Sequence, residues 1–172
     1  MTAFCLFYRI ILKIKLLPDS SPVTVANFLE NVQNKLYENI NFYKIIKYPN
    51  TKIIHSGIYF ENVIIDHKKK NFKYKSFIPL EIKLKNFKEP IYELQINEPL
   101  EKRNLINRFE RGSIAMVKID DKNSSSTEFF FTLNKSPELD GRYSIFGKLI
   151  SGYEILNRIT KEDFIKSIEI SH

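Results

Sequence analysis

This sequence encodes a mainly β protein, expected to close into a barrel rather than to build an alternating β-α-β sheet. Three observations carry that expectation. Its apolar runs are short, rich in Val, Ile, Phe and Tyr, and bounded by Pro, Asn, Asp and Gly. Only two stretches show helical spacing, one near residue 25 and one near residue 155. Helices that far apart cannot alternate with the strands, so the strands must cover their edges by pairing with one another.

The elements follow in order. Cys5 to Leu17 is β-branched and aromatic, and its second half alternates (Ile11-Leu12-Lys13-Ile14-Lys15-Leu16), as a half-buried strand does. Pro18-Asp19-Ser20-Ser21-Pro22 ends it. Ser20 or Ser21 can cap a helix whose first turn holds Pro22, where a missing N–H costs nothing. That helix covers Val23 to Asn34, with Val25, Phe28, Leu29 and Val32, and Leu36 beyond, on its apolar face. Asn41 to Ile46 and Ile53 to His55 read as short strands around the turn-prone Tyr48-Pro49-Asn50-Thr51, and Gly57 closes the second. Phe77 to Ile96 is poorly periodic and broken by Pro79 and Pro90. It reads as part of a loop-rich insertion around 60–108 in a single domain spanning 1–172. Ser113 to Ile119 is a strand, Asp120 to Thr127 a polar loop, and Glu128 to Leu133 a strand with three phenylalanines in a row. Leu139-Asp140-Gly141-Arg142 is a turn and Tyr143 to Leu149 another strand. Gly152 to Thr160 makes the second helix, and Ile165 to Ile170 the last strand.

Composition bounds the function. With 43% hydrophobic and 27% charged residues in 172, the chain buries a real core and is not disordered. The single cysteine, Cys5, can make no internal disulfide, and with three scattered His it makes no zinc site. The apolar start lacks both a basic leader and a small-residue cleavage site, and Arg9, Lys13 and Lys15 interrupt it. The expectation is a soluble, cytoplasmic monomer without membrane span or metal. The net charge of +7 comes mostly from lysine and accompanies heavy use of Ile, Asn, Phe and Tyr. AT-rich codons supply those residues, so base composition accounts for the charge as well as an electrostatic function does. The lysines at 68–75 could form a polyanion-binding patch or simply a solvated loop, and no Arg of the kind nucleic-acid sites use stands among them.

Six blocks resemble one family in their order. Ser21-Pro22-Val23-Thr24-Val25-Ala26-Asn27-Phe28-Leu29 is similar to the first helix of the cyclophilins, the peptidyl-prolyl cis-trans isomerases. Phe42-Tyr43-Lys44-Ile45-Ile46 stands where they carry Phe-His-Arg and two aliphatics, and Ile53-Ile54-His55-Ser56-Gly57 where they carry an apolar pair, Gln, Gly, Gly. Arg111-Gly112-Ser113-Ile114-Ala115-Met116, Ser126-Thr127-Glu128-Phe129-Phe130-Phe131 and Leu139-Asp140-Gly141-Arg142-Tyr143 match three further signatures. The resemblance spans roughly residues 10–170 and implies a closed eight-stranded antiparallel barrel capped by two helices.

It also implies a chemistry. An X-Pro bond resists rotation by about 18–20 kcal/mol because the amide must lose resonance as it twists. A catalyst needs an apolar slot for the proline ring, donors for the flanking carbonyls, and a cation near the prolyl nitrogen, which turns pyramidal and basic on twisting. No cofactor is implied, and the partners are proline-containing polypeptide segments. The resemblance assigns the slot to Phe42, Ile53, Met116, Phe130, Leu139 and Tyr143, and the substrate backbone to Val117 and Lys118. Lys44 replaces the catalytic Arg, His55 the Gln that orients it, Glu128 a second Gln, and Glu138 a frequent aromatic. A pocket aromatic at Tyr48 stays undecided. A Lys44–Glu128 pair across the pocket would partly neutralise the cation, and Glu128→Gln would then raise activity. The rival expectation is a barrel that binds proline segments as a chaperone without accelerating their isomerisation.

Overall fold

The computed structural model describes residues 1–7, 10–58 and 77–171. The lysine-rich run at 68–75 and the side chain of Cys5 lie outside them. Eight strands form one antiparallel ladder. In chain order they are β1 (Thr2–Phe7), β2 (Ile10–Leu16), β4 (Lys44–Lys47), β5 (Lys52–Ser56), β9 (Ser113–Lys118), β10 (Asn123–Thr132), β11 (Ile145–Ser151) and β13 (Ser167–Ser171). In space they run β13-β1-β2-β11-β9-β10-β5-β4. Two short strands, β3 (Ile40–Asn41) and β12 (Phe164–Ile165), precede the two edge strands and pair with each other. Asn39 donates to the Ile165 carbonyl at 2.7 Å and Phe42 to that of Asp163 at 3.1 Å, so the two edges of the ladder are tied into a barrel.

The single strand expected over Cys5–Leu17 is two strands, β1 and β2, paired from Thr2↔Lys15 to Phe7↔Ile10. Both arms are apolar and β-branched, so composition alone does not mark the reversal between them. Helix α1 (Pro22–Gln33) begins at the expected proline and buries Val25 and Phe28. Phe28 meets Tyr37, Phe129 and Phe146 at ring-centroid distances of 5.4, 6.0 and 5.0 Å in the barrel interior. Burying one such phenylalanine contributes roughly 1.5–3 kcal/mol.

Neither Ser20 nor Ser21 caps this helix through its side chain. Ser21 occupies the N-cap position, but its hydroxyl donates to the Ile145 carbonyl at 3.0 Å. The cap comes from the insertion. That segment contributes β6 (Phe77–Pro79), β7 (Glu81–Ile82), β8 (Ile91–Tyr92) and a one-turn helix α2 (Pro99–Lys102), around a small core of Leu80, Ile82, Leu84, Ile96 and Leu105. The Glu81 carboxylate accepts the backbone N–H groups of Val23 and Thr24 at 3.0 and 2.8 Å and the Thr24 hydroxyl at 2.6 Å. Two oxygens thus satisfy two orphan donors and place negative charge at the positive end of the helix. Burial raises the Glu81 pKa against these hydrogen bonds.

Two further expectations are corrected. The polar loop over Asp120–Thr127 is partly strand, because Asn123, Ser124 and Ser125 pair with β6. The second helix, α3 (Tyr153–Leu156), is far shorter than Gly152–Thr160, although Leu156 and Ile159 are buried as its spacing requires.

Candidate active site

Strand parity builds the site. Lys44 stands opposite His55, His55 opposite Phe130, Phe130 opposite Ala115, and Ala115 opposite Ile145. Directly opposed residues project to the same face, so these five form one row across β4, β5, β10, β9 and β11. The alternate row, Ile45–Ile54–Phe131–Ile114, packs into the barrel interior. The site is therefore on the outside of the barrel.

On that face Ile53, Phe109, Ala115, Phe130, Leu139 and Ile145 form a second apolar cluster, with Ile46, Val117 and Tyr143 packed against it. Phe130 is its centre. Phe109 lies parallel to it at 5.9 Å, His55 stacks on it at 5.6 Å, and Tyr143 meets it edge-on at 5.3 Å. Ile53, Phe130, Leu139 and Tyr143 are thus brought together as expected. Phe42 and Met116 are not: both are fully buried in the interior cluster, Met116 beside Ala115 but on the opposite face of β9. One residue of parity separates core from slot. Tyr48 is 66% exposed on the β4–β5 turn and takes no part in the cluster.

Beside the slot, a cavity of about 400 Å³ is lined by Tyr43, Lys44, His55, Val117, Lys118 and Glu128. All but Tyr43 were anticipated from the sequence. The Lys44–Glu128 pair was not formed: no ion pair within 4 Å joins them among the described residues, and Glu128 accepts the Tyr43 hydroxyl at 2.6 Å. Lys44 is exposed at the rim. Lys118 pairs with Asp121 at 2.7 Å. His55 is 9% exposed, with its Nδ1 3.4 Å from the Tyr43 hydroxyl. Burial, and secondly the charge of Lys44, lower its pKa to about 4, so the imidazole is neutral at pH 7.

Supporting contacts hold these groups. The Ser125 hydroxyl accepts the N–H groups of Thr127 and Glu128 at 3.2 and 3.0 Å, shaping an irregularity in β10 that delivers Glu128 to the cavity. Asn27 and Asn31 of α1 both donate to the Ser126 carbonyl, at 2.6 and 2.7 Å. Asp140 of the Leu-Asp-Gly turn accepts the Phe109 N–H at 2.7 Å and so seats that ring under Phe130. Phe109 had no motif to announce it; its place depends on this contact across 31 residues. Glu138 is bonded to Thr51 and lines a second cleft of about 340 Å³ with Pro49, Asn50, Asn134, Lys135 and Pro137.

Fold and site define a class: an antiparallel barrel whose outer wall carries an apolar slot with a lysine at its rim. Comparison with known proteins agrees. The family model for the cyclophilin type peptidyl-prolyl cis-trans isomerase/CLD matches residues 10–171, and the chain belongs to that family. A Synechocystis protein named for peptidyl-prolyl cis-trans isomerase activity in the thylakoid lumen is 29% identical over 163 residues, covering 88% of this chain and 41% of that protein. A peptidyl-prolyl cis-trans isomerase of Arabidopsis thaliana is 38% identical over 59 residues, 34% of this chain and 36% of the other. The chain thus spans less than half the length of these curated relatives. A Cryptosporidium parvum cyclophilin type isomerase, crystallised in the presence of the dipeptide Ala-Pro, superposes with a TM-score of 0.67 at 24% identity, covering 100% of this chain and 99% of that one. A cyclophilin of Hirschia baltica superposes at 0.65 with 16% identity, covering 98% and 73%. These two likenesses speak for the fold.

Proposed function

We propose that this protein is a peptidyl-prolyl cis-trans isomerase acting on X-Pro bonds of unfolded or loop segments. The observation that carries the reading is the outward row in which Lys44, His55 and the Phe130 slot lie on successive strands. The proline ring occupies the slot among Ile53, Phe130, Leu139 and Tyr143, over a floor of Phe109 and Ala115. The segment's backbone runs along the Val117–Lys118 edge of β9. Lys44, reaching over the rim, meets the prolyl nitrogen as its lone pair localises, and so binds the twisted state better than either planar one. No covalent bond forms or breaks, so the site needs neither a nucleophile nor a general base.

The test is exchange spectroscopy or a protease-coupled assay on a proline tetrapeptide, with Lys44→Ala as control. Acceleration by the native chain that falls in the variant supports the reading. Peptide binding without acceleration overturns it in favour of a module that only holds proline segments.

A further inference from the structure

We propose that Lys118 is a specificity-determining residue, through which this site prefers substrates carrying an acidic residue, Glu or Asp, immediately before the proline. The proposal rests on the isomerase reading and names a substrate class for that site.

The shape of the prolyl amide decides which residue enters the cavity. Its nitrogen is bonded to two carbons of the ring and to the carbonyl carbon of the preceding residue. With the ring among Ile53, Phe130, Leu139 and Tyr143 and the nitrogen beneath Lys44, the preceding residue lies beyond Lys44. That space is the cavity of about 400 Å³, whose lining includes Lys44, His55, Val117 and Lys118.

Among the described residues, the charged groups lining this cavity are Lys44, Lys118 and Glu128, and His55 is neutral at pH 7. Two ammonium groups thus outnumber one carboxylate. Glu128 opposes an incoming anion, but it is 4% exposed and accepts the Tyr43 hydroxyl at 2.6 Å. Lys44 serves the prolyl nitrogen, so Lys118 is the cation left for the side chain of the preceding residue. The Lys118 side chain is only 18% exposed, and an attraction formed there is less screened than one on open surface. Its ammonium donates to Asp121 Oδ1 at 2.7 Å. Asp121 is 85% exposed, so that bond is of the weak surface kind. Asp121 also accepts Gln95 Nε2 at 2.7 Å, and it keeps this partner when Lys118 turns to a substrate carboxylate. Lys118 is therefore a cation at the cavity whose resident partner is easily displaced.

The experiment compares the peptides Ala-Glu-Pro-Phe, Ala-Gln-Pro-Phe and Ala-Lys-Pro-Phe by exchange NMR, which needs no protease with preferences of its own. Glu and Gln share a shape, so the ratio of their kcat/KM values reads charge, whatever the overall activity of a variant. We expect the Glu peptide to exceed the Gln peptide about 3- to 10-fold, the scale of one charge-assisted hydrogen bond less the partner displaced. The Lys peptide should fall below both. Lys118→Met keeps the apolar stem and removes the charge, and should bring the Glu-to-Gln ratio near unity. Asp121→Asn should raise that ratio above the native value. A native ratio at or below unity, a ratio unmoved in Lys118→Met, or one that fails to rise in Asp121→Asn would each overturn the proposal. If the native chain accelerates none of the peptides, the isomerase reading fails, and the preference is read instead from Kd by NMR titration. Tighter binding of the Glu peptide, lost in Lys118→Met, then upholds it; equal Kd values, or no binding of either peptide, overturn it.

Discussion

Phe109 and Phe130 lie face to face on the outer wall of the barrel, their ring centroids 5.9 Å apart and their planes 9° from parallel. His55 stacks on Phe130 as well, at 27°. The ring at the centre of the slot is therefore held by its neighbours in one orientation before any substrate arrives, so little side-chain entropy is left to lose on binding.

Truncating the supporting ring should expose this. Phe109→Ala is expected to cost about 3–5 kcal/mol in stability, the range for buried phenylalanines. Phe109→Leu should fold well but raise KM for a proline peptide by several-fold, because Phe130 gains freedom. Denaturant titration measures the first effect and steady-state kinetics the second.

Lys44 stands exposed, so its replacement should leave the fold intact. Lys44→Ala is expected to lower kcat/KM about 10²-fold, the scale for losing one preorganised donor in a site. Lys44→Arg should raise kcat above the native value, since a guanidinium presents several donors in a planar fork. An alanine variant as active as the native chain would remove Lys44 from the mechanism.

Stability should depend on pH through His55. Its folded pKa of about 4 lies below the ordinary 6.5, so between these values the unfolded chain binds a proton that the folded one refuses. The contribution is fully present above about pH 6.5 and is lost as the pH falls toward 4, up to about 3 kcal/mol. Glu81 works the other way: its raised pKa favours the folded state as the pH falls through that group's range. Urea midpoints at pH 7 and pH 5 should therefore differ more in Glu81→Gln than in the native chain, and less in His55→Gln.

Gly57 adopts φ +102°, and a Cβ there would lie 2.2 Å from the Thr127 carbonyl oxygen and 2.8 Å from the Glu128 Cα. Both the conformation and the close approach require glycine. Gly57→Ala should destabilise the fold by at least about 1 kcal/mol and displace Glu128, so that kcat falls more than in a control of equal instability. Thermal unfolding and kinetics together separate the two effects.

Period-2 patterning made most strands legible, and the order of the motifs brought Ile53, Phe130, Leu139 and Tyr143 to one wall. The resemblance did not resolve parity at Phe42 and Met116, because each adjoins a residue lining the slot or the cavity and apolar chemistry suits both faces. It missed Tyr43 and Phe109 because their roles arise from long-range contacts, to Glu128 across 85 residues and to Asp140 across 31. The same holds for Glu81, which reaches Thr24 across 57 residues. The irregular segment expected around 60–108 is in its described part a working brace. Besides capping α1, its Ile96 donates to the Gly141 carbonyl at 2.8 Å and packs against the turn that seats Leu139 and Asp140.

The pairing of β1 with β13, from Thr2↔Ser171 to Leu6↔Ser167, bears on how the molecule is made. During synthesis β1 waits for a neighbour encoded far downstream of it, since β13 follows all the other strands of the ladder. Until then β1 presents an open edge, able to pair with the wrong chain. A protein proposed to speed a slow step in the folding of others thus has a long-range closing step of its own, set by connectivity.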